Sequence, residues 1–471
     1  MKRLFLIAYS LLLPGISLYA QQPDTSRTHT FNLQQCIDYA YEHQVDMKNA
    51  ALDIKKAEYK VKETIGIGLP QISGKADFQD YVKSPTILFP DFISQAIYGV
   101  IKNEDIRDAN GQPITMPSNL GGTQEVSFQQ KYNSSLGLNV TQLLFDGSYL
   151  VGLQASKTYK ELSSRSYART RVETNAAVSK AYYQVLVSDQ QIRLFDANIK
   201  TLKQQLDETT ALNKQGFAEK VDVDRLTVQY NNLITNRDNA IRSMALGYQM
   251  LKFQMGMPVS DMLIIPEKIE DIKLDEGELA ATTDTTAYRN RIEYQLLETQ
   301  LKLNQLDLKR YKSQYLPSLA AFGSSSLMYQ ENSFKKLYDT SYPTTVVGLQ
   351  LNVPIFSGLQ RLNQVRQAKV EVEKSKNTLL NAKNGINLEV EQARINFRNN
   401  INSLNNQKKN MDLANEVLRV SKIKYQQGVG SSVEVTQAQT SLETAEVNYI
   451  EALYNALVSK VDLNKAYGNI K

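Results

Sequence analysis

The sequence holds one cysteine, two histidines and no tryptophan in 471 residues. A lone Cys36 excludes an internal disulfide framework. It lies well past the start of the chain, without the small-residue context of a lipoprotein cleavage site, so no lipid anchor is read there. On an amphipathic helix such a cysteine behaves as a small apolar residue. His29 and His43 cannot build a usual zinc site alone. No apolar run reaches the roughly 20 residues of a membrane helix, and the mean hydropathy is −0.39. Helical spans are thereby excluded; alternating strands, which barely raise average hydropathy, are not. Charge of one sign is missing too: 54 basic and 49 acidic residues leave +5. That balance describes solvated helix faces and implies no nucleic-acid partner. No Gly-rich phosphate loop follows a strand and no nucleophile elbow occurs, so no catalytic set, cofactor or metal is expected.

What the chain does have begins with an export signal over residues 1–20. Lys2 and Arg3 open it, Leu4 to Leu13 form a short apolar run, Pro14-Gly15 break it, and Ala20 offers a small residue for cleavage. Beyond it the sequence repeats itself. Leu143-Leu-Phe145-Asp-Gly147 answers to Pro354-Ile-Phe356-Ser-Gly358. Gln215-Gly216 with Val221-Asp222-Val223 answers to Gln427-Gly428 with Val433-Glu434-Val435, and Gly256 to Gly468. Leu69-Pro70 and Leu316-Pro317 match at a larger offset, which places an insertion in the first half within 81–122. Two repeats follow, 21–257 and 288–471, joined by a segment rich in acids and threonine at 258–287. Each reads as a helix, two strands and a long helical hairpin.

The hairpins carry heptad seams. Val178, Ala181, Val185, Ser188, Ile192, Phe195, Ile199, Leu202 and Leu206 step by threes and fours. The same frame recurs as Val390, Ala393, Phe397, Asn400, Leu404, Gln407, Met411, Ala414 and Leu418. This is the 3.5-residue period of coiled coils. It resumes after each Gly-containing tip, at 215–221 and 427–433. A second stripe in the last helix, Val447, Ile450, Leu453, Leu457 and Val461, predicts contact with two neighbours, as in a closed ring. No proline interrupts 148–257 or 357–471, and a rising helix of about 65 residues would be roughly 100 Å long.

Strands are predicted before each hairpin. In Gln71–Gln79, Ile72, Gly74, Ala76 and Phe78 share one face; Leu136, Leu138 and Val140 alternate in Ser135–Thr141; Val347, Leu349, Leu351, Val353 and Ile355 alternate in Val347–Ile355. A weaker pattern, Leu319, Ala321, Gly323 and Leu327, follows Pro317. Period-two alternation over about ten residues suits outer-membrane strands; a soluble sheet with one wet face is the competing reading of any one of them. Four strands in lipid leave two open edges, which one chain cannot close. Two chains would make an eight-stranded barrel filled by side chains, and three a twelve-stranded one with room for a passage.

In order, duplication and spacing, the turns Leu69-Pro70, Phe145-Asp-Gly147, Tyr315-Leu-Pro317 and Pro354–Gly358 and the tips Gln215–Val223 and Tyr425–Val435 resemble the TolC-type outer-membrane factor family. The resemblance spans essentially the whole mature chain. It implies an α+β membrane protein: tandem helical hairpins forming an α-barrel tunnel in the periplasm, and four transmembrane strands per chain completing a twelve-stranded outer-membrane barrel as a homotrimer in outer-membrane lipid. It also implies a periplasmic adaptor at the tips, coupled to an inner-membrane pump of the RND, ABC or similar type that supplies the energy. Segment 258–287 would circle the tunnel's waist, and the 81–122 insertion would enlarge an outer loop. A periplasmic coiled-coil adaptor without membrane strands is the alternative, and a twofold repeat of hairpin plus strands argues against it.

By the same resemblance Asp222 and Tyr425 stand as a hydrogen-bonded pair between hairpins, and Glu434 at the first acidic-ring position of a periplasmic gate. The second ring position is Gln437, a departure. Gly430 replaces a basic residue often found two places after the tip glycine. Gly216, Phe217, Gly428, Val429 and Gly430 are the adaptor-contact tips, although the glycines also read as plain turn formers. Ser431-Ser-Val-Glu434 fits a capping box, so Glu434 reads equally as a helix cap. The cargo leaves no mark on the sequence.

Overall fold

A computed structural model describes residues 27–115, 117, 123–269, 272, 274 and 287–470. The expected export signal and much of segment 258–287 lie outside the described residues. The chain forms two compact units: Met1–Lys56, Glu161–Gln300 and Ser375–Lys471 in one, Ala57–Lys160 and Leu301–Lys374 in the other.

The second unit is built on an antiparallel sheet of β2 (Gln71–Asp80), β5 (Tyr132–Phe145), β7 (Ser318–Glu331) and β8 (Tyr342–Asn352), in that spatial order. Its register brings the alternating patterns into line. Ile72 lies opposite Val140, Gly74 opposite Leu138 and Ala76 opposite Leu136. Val140 and Leu136 then face Gly323 and Leu327, and Gly323, Ala321 and Leu319 face Val347, Leu349 and Leu351. One face is therefore apolar across all four strands, while Ser73, Lys75, Asp77, Asn139, Ser135, Ser324 and Gln350 share the other. A one-residue slip in any pair would mix the two sets. The apolar face is bare: Ile72 is 72% and Val347 81% exposed. Among the described residues the outer edges of β2 and β8 have no partner.

The strands differ from the sequence expectation at their ends: β5 runs from Tyr132 to Phe145, beyond the expected Ser135–Thr141. β8 stops at Asn352, leaving Val353 and Ile355 outside it, because Pro354 has no N–H for a ladder bond. The weakly patterned segment after Pro317 is a full 14-residue strand, since its place between β5 and β7's other neighbour β8 supplies hydrogen-bond partners on both sides. At the end of the strands remote from the turns, Phe334 meets Phe78 and Tyr132 edge-on at 6.0 and 5.5 Å, and Tyr329 meets Tyr338 at 5.1 Å. Aromatic rings at this level suit a lipid–water interface.

The connection from β7 to β8 is short, with a single 3-10 turn at Phe334–Lys336. Its counterpart from β2 to β5 runs from Tyr81 to Lys131, and the Tyr81 N–H donates to the Lys131 carbonyl at 2.8 Å to close it. The expected insertion, 81–122, falls inside this excursion. It contains a ribbon of β3 (Ile87–Pro90) and β4 (Thr123–Val126) and a helix, α3 (Phe92–Asn103).

The first unit is dominated by two hairpins, α4 (Gly147–Lys214) with α5 (Lys220–Met255) and α7 (Gln360–Gln426) with α8 (Ser432–Tyr467), of which α4 belongs to it from Glu161 and α7 from Ser375; a shorter helix precedes the strands of each repeat, α2 (Val45–Ile67) and α6 (Ile292–Ser313). Their ends repeat at one offset: Lys214 and Gln426, Lys220 and Ser432, Met255 and Tyr467. Both close on a left-handed glycine, Gly256 and Gly468. The heptad seams are the cores. Leu202, Leu226 and Leu233 are buried with Phe195, Ile199 and Leu206 around them; Leu418, Val435, Ala438 and Leu442 form the matching cluster of the second hairpin.

α8 buries two faces. Ala456 and Leu463 pack with Ala393 and Phe397 of α7, while Ile450, Leu453, Leu457 and Val461 join Val178, Tyr182 and Val185 of α4. Val447, placed in the same stripe by sequence, is exposed. Onto the α4–α8 core dock α1 (Leu33–His43), opened by a capping box between Asn32 and Gln35, and a parallel pair of short strands, β1 (Thr28–Thr30) and β6 (Met262–Ile264). Cys36 is buried there, and burial, then the Glu267 charge, pushes its thiol up to about 12. This is an inert, packed thiol.

Apolar side chains are also exposed along the hairpins. Leu246, Met250 and Phe253 on α5 and Leu388, Ile395, Leu413 and Val417 on α7 are exposed at helical spacing.

Candidate functional site

Each tip forms because a glycine takes a left-handed backbone where the rising helix ends. Gly216 has φ +83° and Gly428 φ +74°, conformations that an L side chain resists. Behind them Phe217 N–H donates to Leu212 C=O and Val429 N–H to Lys424 C=O, the C-capping pattern that satisfies the last carbonyls of a helix. In such caps the following apolar residue usually folds back on its helix. Here it does not: Phe217 is 79% and Val429 76% exposed. Gly430 sits against the helix it has just left. A Cβ there would come within 3.0 Å of the Lys424 side chain and 3.1 Å of the Tyr425 nitrogen. Close approach, beyond turn formation, accounts for glycine at this position.

Asp222 and Tyr425 do come together, though each has its own hydrogen-bond partner on another helix. The Ser432 hydroxyl of α8 donates to Asp222 Oδ1 of α5, and the same oxygen accepts from Arg225 Nη1 at 3.5 Å. Tyr425 of α7 hydrogen-bonds Thr209 of α4, which is buried. Burial raises the Tyr425 hydroxyl pKa, the nearby Asp222 charge adds to it, and Thr209 offsets part. Gln205, Leu226 and Thr436 complete the cluster. Both bonds thus run from one hairpin to the other. Ser432 and Thr209 were not singled out by sequence. The signal for Ser432 was present: of the two serines after Gly430 only one can cap α8, which frees the other.

Ser431 is that cap, its hydroxyl accepting the Glu434 N–H at 3.2 Å. The Glu434 carboxylate is exposed, as is Gln437, and neither lines the Asp222–Tyr425 cluster. Only the Ser431 half of the expected capping box is present among the described residues: the serine hydroxyl caps the helix, and no return bond from the Glu434 carboxylate to the Ser431 N–H accompanies it.

Farther along α8 two carboxylates are desolvated between the hairpins. Asn198 of α4 donates to Glu446, and the almost fully buried Gln439 donates to Glu443 at 3.1 Å. Burial, then the Glu443 charge, raises Glu446 to about 7 against the pull of Asn198. The side chains of α4 and α5 that line the same cleft, Gln191, Phe195, Asn236 and Asn239, carry no charge, and Arg237 is paired with Asp196 at 2.6 Å. A carboxyl with a raised folded pKa binds protons that the unfolded chain releases, so stability falls as pH rises from about 4.5 through 7. The loss is about 1–2 kcal/mol per chain once solvent screening is allowed for. Melting curves of the detergent-solubilised protein should therefore shift down between pH 5 and 8, and Glu446→Gln should remove most of that slope. A slope unchanged in the variant would clear Glu446 of the role.

The outer membrane efflux protein family matches residues 115–238 and 295–469, one block in each repeat. Outer membrane protein TolC of Escherichia coli (strain K12) is 22% identical over 480 residues, covering 100% of this chain and 87% of the relative. Alkaline protease secretion protein AprF of Pseudomonas aeruginosa is 22% identical over 355 residues, 75% of this chain and 73% of that one. Among solved structures, CusC superimposes with a TM-score of 0.72 at 14% identity over 96% of this chain and 95% of its own, a likeness of fold. A match across more than half the chain, in both repeats, places the protein: it belongs to the outer membrane efflux protein family.

Proposed function

We propose that three copies of this chain close one barrel in the outer membrane and one column of helices in the periplasm. Together they form the passive exit duct of an efflux or type I secretion assembly. The observation that carries this reading is the sheet of β2, β5, β7 and β8, apolar on one whole face and open at both edges. Lipid offers no partner to edge N–H and C=O groups, each of which costs several kcal/mol unpaired. β8 of one copy therefore pairs with β2 of the next. Three copies give twelve strands and a passage.

The helices support the same closure. The bare stripes on α5 and α7 are heptad faces in need of a partner, and a head-to-tail contact between copies lets each cover the other and closes a ring. At the periplasmic end, Phe217 and Val429 present apolar side chains beyond the last turn, where an adaptor would seat. Asp222, Tyr425, Glu434 and Gln437 form the gate region that the adaptor and an inner-membrane pump would open. The pump supplies the energy, and the chain is no enzyme. A relative named for protease secretion leaves polypeptides as well as small molecules within the cargo range.

Outer membranes solubilised without heating should yield a trimer that falls to the monomer position on boiling, and the purified trimer should conduct ions in planar bilayers. A lone soluble protomer in the periplasm, with no bilayer-inserted form, would overturn the reading.

A further inference from the structure

The face of α8 that lies against α4 is a single heptad stripe with two unlike halves. Ile450, Leu453, Leu457 and Val461 are buried with Val178, Tyr182 and Val185 of α4. Toward the tip the same spacing continues through Glu446, Glu443, Gln439, Thr436 and Ser432, all polar and each buried or half-buried. On α4 the polar half meets Asn198, and Gln205 and Thr209 lie with it nearer the tip. Inside each hairpin no such change occurs: Leu202 with Leu226 and Leu233, and Leu418 with Val435 and Leu442, stay apolar toward the tip. Polar groups in a buried helix seam lower its stability and are best attested as switches or specifiers. The contact between hairpins is therefore weakest over the last 15 residues of the stripe, about 20 Å of helix, while each hairpin remains zipped.

Two features point to protons as what holds that half together. The first is charge without a counter-charge. Glu443 and Glu446 are neighbours on one helix face. At this level α4 carries Arg193 bound to Asp189 at 2.9 Å and Lys203 bound to Asp207 at 2.7 Å. On α5, Arg237 is bound to Asp196 of α4 at 2.6 Å, with Asp238 beside it, and Arg242 to Asn239 at 2.7 Å. Lys200 of α4 and Lys408, Lys409 and Asp412 of α7 are exposed. The charge that acts on Glu446 is the like charge of Glu443. The second is an acceptor in want of a donor. Gln439 is 2% exposed; its Nε2 donates to Glu443 at 3.1 Å and its Oε1 is buried without a partner. A carboxylate has no O–H to offer, whereas a carboxylic acid does. With Glu443 protonated, the Gln439 amide turned over accepts that proton, and the orphaned oxygen is satisfied.

We propose that the tip half of the α4–α8 seam is a proton-operated latch: protonated Glu443 and Glu446 let the hairpins lie together, and their ionisation parts α8 from α4 between Ser432 and Ile450. Burial, then the Glu443 charge, raises Glu446 to about 7 in the closed seam, whereas in a wet, open seam it returns to about 4.5. The closed form is thus the one that binds protons, so acid shuts the latch and it opens as pH rises through 7. Parting the helices also loosens the tie from Ser432 to Asp222, which passes the change to the tips. The latch lies within one chain; only its effect on flow rests on the duct reading above.

The chain has no tryptophan, so one placed in the seam reports alone. In the full-length detergent-solubilised protein, Phe195→Trp, which lines the same cleft as Glu443, should be quenched severalfold more by acrylamide at pH 8 than at pH 5.5. The midpoint should fall near 7. Tyr454→Trp, packed on the apolar half, should be quenched equally at both. Adding Glu443→Gln alone to Phe195→Trp should move the midpoint to lower pH, since it removes the like charge and keeps Glu446. Adding Glu446→Gln as well should abolish the response. No response in Phe195→Trp, or one that survives both glutamines, overturns the latch. So does protection restored at pH 8 by millimolar magnesium, which would make the seam a cation site. In planar bilayers the open probability should rise severalfold over the same pH range, and not in the double glutamine variant. Flow indifferent to pH beside a responding tryptophan would overturn the link to the tips. A protein that conducts at no pH would strike the duct reading, with the latch still decided by quenching.

Discussion

Replacing Asp222 by Ala together with Tyr425 by Phe should raise the single-channel conductance of the purified protein in planar bilayers and lengthen its open dwell times. The reason lies in where the two bonds run. Ser432 to Asp222 joins α8 to α5, and Tyr425 to Thr209 joins α7 to α4. Both therefore tie one hairpin to the other, and any widening at the tips stretches both. A hydrogen bond to a charged group contributes about 1.5–3 kcal/mol and a neutral one about 1. Three copies opening together would lose roughly 7–12 kcal/mol of tip closure, far more than the roughly 5.5 that inverts a 1:99 equilibrium. Even a third of that sum would be visible as a shift in open probability. Ser432→Ala should reproduce the Asp222→Ala effect, because it removes the other end of the same bond. Equal conductance in wild type and the double variant would remove these residues from the gate.

Val347→Arg should abolish the outer-membrane trimer, whereas Val346→Arg, one residue away, should leave it intact. Val347 lies in β8 opposite Gly323, on the face that is apolar across all four strands; Val346 lies opposite Ser324 on the polar face. Arginine at the bilayer midplane of a barrel's lipid face costs about 2–4 kcal/mol, incurred once per copy, while a lumen-facing arginine stays in water. Membrane fractionation and unheated gels would read the outcome. If both variants assemble alike, the apolar face is not in lipid, and the sheet is a soluble one with a wet side.

Much of the fold was legible in the residues because its parts are periodic. The heptad seam from Val178 and its copy from Val390 specified the hairpins, and the common offset of Lys214 with Gln426 and Gly256 with Gly468 is visible in letters alone. The candidate site was legible only in part. Asp222 and Tyr425 stand out by their positions at the tips, but Thr209 is one threonine among several on a long helix, and which helix its hydroxyl faces depends on packing between hairpins. Ser432 needed the knowledge that Ser431 had already taken the cap.

By itself the sequence determined the duplication, the long uninterrupted helices and the alternation of the strands, since each follows from local spacing, from glycine at the turns and from the absence of proline. Only the tertiary structure decided that four separately alternating segments share one apolar face, that β7 pairs along its whole length despite a weak pattern, and that Asp222 and Tyr425 bond to Ser432 and Thr209. The physical reason is the same in each case: hydrogen-bond register and side-chain partners are set between segments far apart in the chain, where no local period can specify them.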